Sequence, residues 1–368
     1  MLLEEHKPRT HESQVATAPA STVAHTPTRR RRLTSIKRSR LLINLLTLAV
    51  TIAFSYIALS NIKLGTAWHA LRTSDYWWLI PALVAFALGN LARALRWRSL
   101  FAPGRRPPVR TVANAMMVGY LYNNILPARA GEAARVMVLT KRSSTPPVEI
   151  VGTVVLERLY DVLAILVIFF AAEPWLPHVS WFGTAAVAAI ILAAMIATAA
   201  TVLAVWGDRP LHFLLRPFAR IPLFSGERLE RTVAELAHGL SGLRHRAVAV
   251  EAFLWTAAAW MLSALCAYLV SLAFHLHLPF ACGVLVVVAV GLGMILPAAP
   301  AAVGVFEGAA LIALKAYGIS HSAALPYALV LHAVNFVPFV LIGAVLVHHN
   351  ARRGGRTGAV EAPVPAAS

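Results

Sequence analysis

The sequence is poor in cysteine and in charge. Only Cys266 and Cys282 occur, both inside apolar runs, so neither a disulfide framework nor a thiolate metal site is predicted. Charged residues make up 13% of the 368 residues, whereas hydrophobic residues make up 58%. Because a soluble domain cannot bury that much apolar surface, these deficits exclude a small disulfide-rich secreted protein and a soluble globular enzyme.

What the chain has instead is long apolar runs and a mean hydropathy of +0.68. A run of about 20 apolar residues is long enough to cross the hydrocarbon core of a bilayer. We therefore predict an all-α polytopic membrane protein with about six full transmembrane helices. The predicted spans are residues 41–62, 76–95, 148–172, 181–206, 247–274 and 323–347.

Two further apolar pieces, residues 111–126 and 280–296, are shorter, and each ends in a break that contains proline, glycine and a carboxylate. Paired interruptions in the two halves of a chain are typical of transporters built from inverted repeats, where they mark the substrate site. The turn residues predicted in the two breaks are Pro127 and Gly131, then Pro297, Pro300 and Gly304.

The distribution of basic residues favours re-entrant hairpins at both breaks. If residues 111–126 crossed without returning, the basic loop 207–246 would lie outside, against the positive-inside bias. A return along residues 130–139 places most of the 33 Lys and Arg inside, including all six between Arg93 and Arg110. The second piece then enters from the opposite face, as in an inverted repeat. The alternative is that both are ordinary helical hairpins packed for stability.

Three regions follow from this topology. Residues 1–40 are predicted to be a disordered basic cytoplasmic tail, because they are polar and lack the apolar region of a secretion signal. Residues 41–347 form the transmembrane domain, with a helix on the inner membrane surface in the loop 207–246. Residues 348–368 form a second disordered cytoplasmic tail. Nucleic-acid binding is not expected, because no basic stripe is interleaved with exposed aromatics.

Charged residues beside the first break are candidates for ligand binding. Arg129, Glu132 and Arg135 repeat at a spacing of three after Pro127, on a half-helix whose N-terminus is predicted to point into the membrane. Such an end attracts anions, and two arginines beside it can grip a phosphate as bidentate forks. We predict that these three residues and Glu307 bind a charged headgroup.

A second charged group, Glu157, Arg158 and Asp161, shares one face of an otherwise apolar span. Charges at membrane depth are costly and usually face the bundle interior. We predict a structural or relay role for these three residues. The alternative, that they pair with Glu132 and Arg135 only to hold the hairpin, stays open, and both roles can coexist.

No Lys or Arg lies near Glu307 in the sequence. A buried carboxylate without a cation either takes up a proton or receives a cation from elsewhere, here Arg129 or Arg135 across the repeat interface. His332 and Asn335 in the last span are predicted as relay or lining residues, although a lone membrane histidine can equally be hydrogen-bonded packing.

Three motifs, in this order, resemble the flippase-like transmembrane domain of the lysylphosphatidylglycerol synthase family: residues 126–135, 157–161 and 304–307. The resemblance covers about residues 41–347. It implies a bacterial inner-membrane protein in a family whose best-understood relatives flip aminoacylated phospholipids. The chain departs from the family at residues 300–303, where Ala301 and Ala302 stand in place of the usual glycines. Because alanine resists positive φ, a differently shaped turn is predicted.

The resemblance and the breaks together predict a lipid translocase for a phospholipid or a lipid-linked headgroup. The segments between the predicted spans are too short for the soluble lysyltransferase domain of the full-length synthases. We predict no catalytic residue, metal or cofactor, a membrane lipid as substrate and a lipid-modifying enzyme as candidate partner; homo-oligomerisation stays open. The alternatives are an intramembrane transferase acting on a polyprenyl phosphate or phospholipid, disfavoured by the lack of a nucleotide-binding motif, and a non-transporting lipid-binding accessory protein.

Overall fold

The computed structural model describes residues 64–102, 104–126, 130–143, 145–177, 227–239, 246–294 and 299–357, with isolated positions between 45 and 56 and between 183 and 209. The chain divides into Met1–Asn44 and Leu45–Ser368, and every described helix belongs to the second unit. The predicted spans 41–62 and 181–206 lie mostly outside the described residues. Pro127, Arg129, Pro297 and the predicted N-terminal tail, residues 1–40, lie outside the described residues as well.

Within the described residues the fold is all helical and contains no strand. The helices are α1 (Leu64–Arg72), α2 (Leu79–Ser99), α3 (Val109–Ile125), α4 (Gly131–Arg142), α5 (Pro147–Ala172), α6 (Glu227–Gly239), α7 (Arg246–Ala273), α8 (Phe280–Gly293), α9 (Val305–Ala316) and α10 (His321–Thr357). Short 3₁₀ turns lie at Tyr76–Trp78, Glu173–Trp175 and Pro300–Ala302.

Prolines and polar caps fix several of the helix starts. Pro108, Pro146 and Pro279 directly precede α3, α5 and α8, where a missing N–H costs no intrahelical hydrogen bond. Before α2, the Asp75 carboxylate accepts a hydrogen bond from the backbone N–H of Trp77 at 3.2 Å. The chain therefore begins each apolar helix at a defined residue.

Three segments of the described chain are long and apolar enough to cross a membrane: Tyr76–Ser99, Arg246–Ala273 and His321–His349. They coincide with three of the predicted spans. Helix α5 also has the length, at 26 residues, but carries charged residues in its middle. Helix α10 continues to Thr357, ten residues past the predicted end of the last span. The full number of spans and hairpins stays a prediction.

Two apolar clusters form the core. The larger one joins α2, α5, α7, α8, α9 and α10, and the smaller one joins α2, α3, α4, α5 and α7 with Val233 of α6. Helix α2 and helix α7 pack along much of their length and contribute to both clusters. The first broken segment packs against α2 through α3, and the second packs against α7 through α8.

The first broken segment is a tight pair of helices, α3 and α4. A Cβ added to Gly131 would lie 1.9 Å from the carbonyl oxygen of Gly119, so only glycine allows this approach. The backbone N–H of Gly131 donates to the Asn123 side-chain oxygen at 2.9 Å. The predicted return segment 130–139 is thus helical and is packed directly against α3.

The second broken segment turns between α8 and α9 through residues with positive φ. Ala301 has φ of 60°, Ala302 has φ of 58° and Gly304 has φ of 83°. The two alanines therefore adopt the left-handed conformation, although it costs roughly 1–2 kcal/mol for a residue with a side chain. The turn thus has the positive-φ conformation that glycine favours, although two of its residues are alanines. Hydrogen bonds from Glu307 and His332, described below, stabilise this conformation.

Candidate functional site

Six charged side chains form one ion cluster where the last turn of α2 and the first turns of α4 meet the middle of α5. At its centre lies Glu157, which is only 2% exposed. One Glu157 oxygen contacts Arg96 Nη2 at 2.8 Å, and the other contacts Arg135 Nη1 at 2.8 Å. The members of this ion cluster are Arg96, Glu132, Arg135, Glu157, Arg158 and Asp161.

The outer members close the cluster into a ring of ion pairs. Glu132 contacts Arg135 at 2.5 Å and Arg158 at 2.8 Å, and Asp161 contacts both Arg96 and Arg158. The indole N–H of Trp260 on α7 donates to Asp161 at 3.1 Å. Three arginines face three carboxylates, so the cluster is neutral as a whole. Neutrality of this kind is what makes buried charges tolerable.

Arg96 was counted among the basic residues of the cytoplasmic side and was not predicted as a site residue. Arg96 is on α2, is 1% exposed and pairs with Glu157 and Asp161. The sequence does hold a signal for this burial, because Arg96 continues a stripe of small buried residues at helical spacing. That stripe consists of Ala82, Ala85, Gly89 and Ala92.

Trp97 was also missed by sequence reasoning. Its ring lies 4.8 Å from the Arg135 guanidinium, a cation–π contact, and its indole N–H donates to Thr153 at 3.0 Å. Trp97 is fully buried. It therefore packs against the Arg135 guanidinium and helps to hold it beside its carboxylate partners.

Access to the cluster is uneven. Arg135 is 3% exposed, whereas Arg158 is 48% exposed and Glu132 is 29% exposed. Of the predicted headgroup residues on α4, Arg135 is thus enclosed and Glu132 is reachable. Arg158, predicted to be structural or relay, is the most open member. The Glu132–Arg158 pair forms the accessible edge of the cluster.

At the second break, Glu307 binds His332 of α10. Glu307 Oε1 lies 2.6 Å from His332 Nδ1, and Glu307 Oε2 accepts a hydrogen bond from the Gly304 backbone N–H at 2.7 Å. The other ring nitrogen, Nε2, lies 3.0 Å from the Ala301 carbonyl oxygen. The partner of Glu307 is therefore His332 and not Arg135, whose carboxylate partners are Glu132 and Glu157.

The two contacts of His332, when both are hydrogen bonds, require a particular number of protons in this pair. A carbonyl oxygen only accepts, so Nε2 must carry the proton shared with Ala301. The short contact between Nδ1 and Glu307 needs a further proton, on the imidazole or on the carboxyl group. The Glu307–His332 pair therefore holds one proton more than a neutral imidazole beside a free carboxylate.

Aromatic rings surround this second site. The Phe306 ring is stacked on His332 with centroids 4.5 Å apart, and Phe336 meets the imidazole edge-on at 5.9 Å. Asn335 donates to the Leu331 carbonyl of its own helix at 2.8 Å and is not brought to Glu307 by any described contact. Pro300 opens the turn, which packs against α3 of the first broken segment.

An apolar cavity of about 420 Å³ lies between α5, α7 and α8, lined by residues such as Ile168, Met261 and Val284. None of its lining side chains is charged. The charged side chains of the ion cluster are therefore not part of this cavity's lining.

Long apolar helices around a neutral, buried ion cluster define an α-helical membrane protein. Comparison of the sequence with known families gives the particular class: the lysylphosphatidylglycerol synthase transmembrane region matches residues 44–343, and the chain belongs to this family. A curated relative, a UPF0104 membrane protein of Methanocaldococcus jannaschii, is 25% identical over 226 residues. The match covers 61% of this chain and 92% of the relative. The family predicted from the three motifs is thus confirmed.

Proposed function

We propose that this protein is a lipid translocase that carries the charged headgroup of a phospholipid or lipid-linked molecule across the bacterial inner membrane. The observation that supports the proposal most is the accessible edge of the ion cluster. Arg158 is half-exposed and Glu132 is partly exposed, and they bind each other at 2.8 Å on a cluster whose other members are largely enclosed. A bundle that needed these charges only for stability would gain nothing from leaving one pair open.

The accessible edge of the ion cluster allows a charged headgroup to bind without leaving any buried charge unpaired. In this mechanism, Arg158 exchanges Glu132 for the lipid phosphate, and Glu132 is free to bind an ammonium group of the same headgroup. Each protein charge keeps an opposite partner, so the desolvation that makes charges costly in hydrocarbon is compensated throughout. Arg129, Arg135 and Glu307 remain proposed headgroup residues from the sequence, with Arg129 outside the described residues.

The proposed topology has six spans, two re-entrant hairpins of opposite orientation and both termini in the cytoplasm. It is supported by the positive-inside bias and by the two helix pairs that flank the breaks, α3–α4 and α8–α9. In this arrangement, the Glu307–His332 pair lies at the second hairpin, and its extra proton provides a natural link between headgroup movement and proton transfer. A lipid-modifying enzyme is the proposed source of the substrate.

The test is transport by the purified protein in proteoliposomes that contain a fluorescently labelled phospholipid whose headgroup carries both a phosphate and an ammonium group. We expect label from the inner leaflet to become accessible to an external reducing quencher, faster with an imposed pH gradient, and more slowly with Arg158→Gln than with the exposed control Lys141→Gln. Equal rates in empty and protein-containing vesicles, with and without the gradient, would refute transport. Conversion of the labelled lipid into a new product would favour a transferase instead.

A further inference from the structure

Arg93 is a half-buried cation on α2, one helical turn before Arg96. Its only described side-chain hydrogen bond runs from Nη2 to the Ser263 hydroxyl of α7, at 2.8 Å. No carboxylate of the described residues forms an ion pair with Arg93. This guanidinium therefore differs from those of Arg96, Arg135 and Arg158, which each contact at least two carboxylates.

The geometry of the helices explains why a partner is missing. Arg96 of α2 and Trp260 of α7 meet at Asp161 of α5. One turn further along, α2 presents Arg93 and α7 presents Ser263. The corresponding next turn of α5 carries two buried apolar residues, Ala164 and Ile165. Helix α5 therefore has a carboxylate beside Arg96 but none at the level of Arg93, one helical turn further along.

The charge balance points in the same direction. The ion cluster contains three arginines and three carboxylates, so among the described residues of this part of the bundle Arg93 is one positive charge without a negative partner. Ser263 does not neutralise it, because its hydroxyl is uncharged and donates its own proton to the Ala259 carbonyl at 2.9 Å. Arg93 lies about 9 Å along the helix from its end at Ser99, at 1.5 Å per residue.

A second polar side chain, Tyr120 of α3, lies near this position. Tyr120 lies within electrostatic range of Arg93, and also of Arg96, Arg135 and Glu157. Its ring packs on Phe339 of α10 with centroids 4.4 Å apart, which holds it between α3 and α10. The Tyr120 hydroxyl can donate a hydrogen bond, so it is a candidate second donor beside Arg93.

We propose that Arg93 binds the singly charged phosphate of a membrane lipid, with the Tyr120 hydroxyl as a second donor and Ser263 holding the guanidinium in place. This inference rests on the proposed lipid substrate and gives its phosphate a second binding position at Arg93, one helical turn from the ion cluster, in addition to the exchange proposed at Arg158. A guanidinium has five N–H donors in a planar fork, so the bond to Ser263 leaves enough donors for two phosphate oxygens. One phosphodiester also supplies the single negative charge that balances Arg93.

Equilibrium binding to the full-length detergent-solubilised protein tests the assignment. The probe is short-chain phosphatidylglycerol with a fluorescent label, compared with a diacylglycerol that has the same chains and label but no phosphate. We expect Arg93→Gln, which keeps a donor for Ser263, to weaken phosphatidylglycerol binding by roughly tenfold or more, because a charge-assisted hydrogen bond is lost. Arg93→Lys should recover most of the affinity, and Arg110→Gln, at an exposed arginine of α3, should bind like the parent.

Inorganic phosphate as competitor separates the two sources of the anion. Displacement of the labelled lipid at millimolar phosphate supports a site for the phosphate group itself, and lack of displacement supports a site that needs the whole lipid. Parent-like phosphatidylglycerol binding by a folded Arg93→Gln protein overturns the proposal. The proposal is also overturned if Arg93→Gln weakens diacylglycerol binding as much as phosphatidylglycerol binding, because the substitution then does not act through the phosphate. Because binding is measured without transport, a parent protein that binds but moves no lipid contradicts the translocase function alone.

Discussion

Glu307 and His332 lie 25 residues apart on α9 and α10, and together they clamp the turn that contains Ala301. The imidazole bridges the Glu307 carboxyl group at 2.6 Å and the Ala301 carbonyl at 3.0 Å, while the other Glu307 oxygen holds the Gly304 N–H. One proton thus sits between the two side chains, and the strained turn depends on it. Removing that proton leaves two acceptors facing each other and weakens the clamp.

The first prediction concerns this proton. In Glu307→Gln, the amide group can donate to Nδ1 while its oxygen still accepts from Gly304, so the geometry is kept and the extra proton is no longer needed. We therefore expect a folded protein whose transport rate varies much less with pH than that of the parent. The measurement is the pH profile of lipid transport in proteoliposomes.

Tyr327→Phe is a control for this experiment, since it removes a buried hydroxyl of the same helix that donates to Ala267 and does not touch the clamp. This variant should keep the pH profile of the parent. If Glu307→Gln transports with an unchanged rate and pH profile, Glu307 is a packing residue and the proton-linked mechanism is wrong.

The second prediction concerns the strain in the turn. Ala301 has φ of 60°, where a side chain costs roughly 1–2 kcal/mol. In Ala301→Gly this strain is relieved, and the greater freedom of glycine in the unfolded chain offsets about 0.4–1 kcal/mol of the gain. We expect a net stabilisation of up to about 1.5 kcal/mol, seen as a higher melting temperature of the purified protein.

The matched control is Ala313→Gly, in the middle of α9, where the same substitution should destabilise by about 0.5–1 kcal/mol. Opposite signs for the two variants are expected. Equal destabilisation by both would show that Ala301 is not strained in the native protein.

Periodicity and hydropathy predicted α2, α5 and α7 to within a few residues, because each helix pairs a long apolar run with a clear end signal. They also placed Glu157, Arg158 and Asp161 on one face, which is a local property of helix spacing. The partners of these charges come from other helices. Arg96 lies 61 residues from Glu157, and no rule of sequence spacing links them.

The same limit applies at the second break. The sequence indicated that Glu307 lacks a nearby Lys or Arg, but it offered Arg129 or Arg135 as partner. His332 was instead considered alone, because its contact with Glu307 depends on how α10 folds back over α9. Ala301 and Ala302 were expected to resist positive φ, and the tertiary hydrogen bonds of the clamp override that local preference.

The third prediction tests the topology at the first hairpin. Ser143 directly follows α4, and the re-entrant arrangement places it on the cytoplasmic side, together with Ser225 in the loop 207–246. A single cysteine at either position should react with a membrane-impermeant maleimide in inverted vesicles and not in intact spheroplasts. The native Cys266 and Cys282 are buried and are expected to stay unlabelled.

Thr73 provides the opposite control, since it is exposed between α1 and α2 and belongs to the predicted outer side. A cysteine there should be labelled in intact spheroplasts. Labelling of the Ser143 site from outside, with Thr73 behaving as expected, would show that α3 crosses the membrane fully.

The fourth prediction separates the buried centre of the ion cluster from its accessible edge. Glu157→Gln removes the charge that faces both Arg96 and Arg135, and breaking a buried ion pair typically destabilises by about 3–5 kcal/mol. We expect this variant to accumulate poorly in the membrane. Arg158→Gln affects a half-exposed side chain, whose ion pairs contribute about 1 kcal/mol or less, so it should accumulate normally.

Arg158→Gln is expected to have little effect on membrane accumulation but a large effect on transport, because the headgroup is proposed to bind at the accessible edge. Arg158→Gln should therefore be abundant yet slow, while Lys141→Gln, at an exposed position of α4, should match the parent in both abundance and rate. Membrane abundance by immunoblot and transport per mole of protein give the two readouts. A well-expressed, inactive Glu157→Gln beside an Arg158→Gln that fails to accumulate would assign the two residues the other way round.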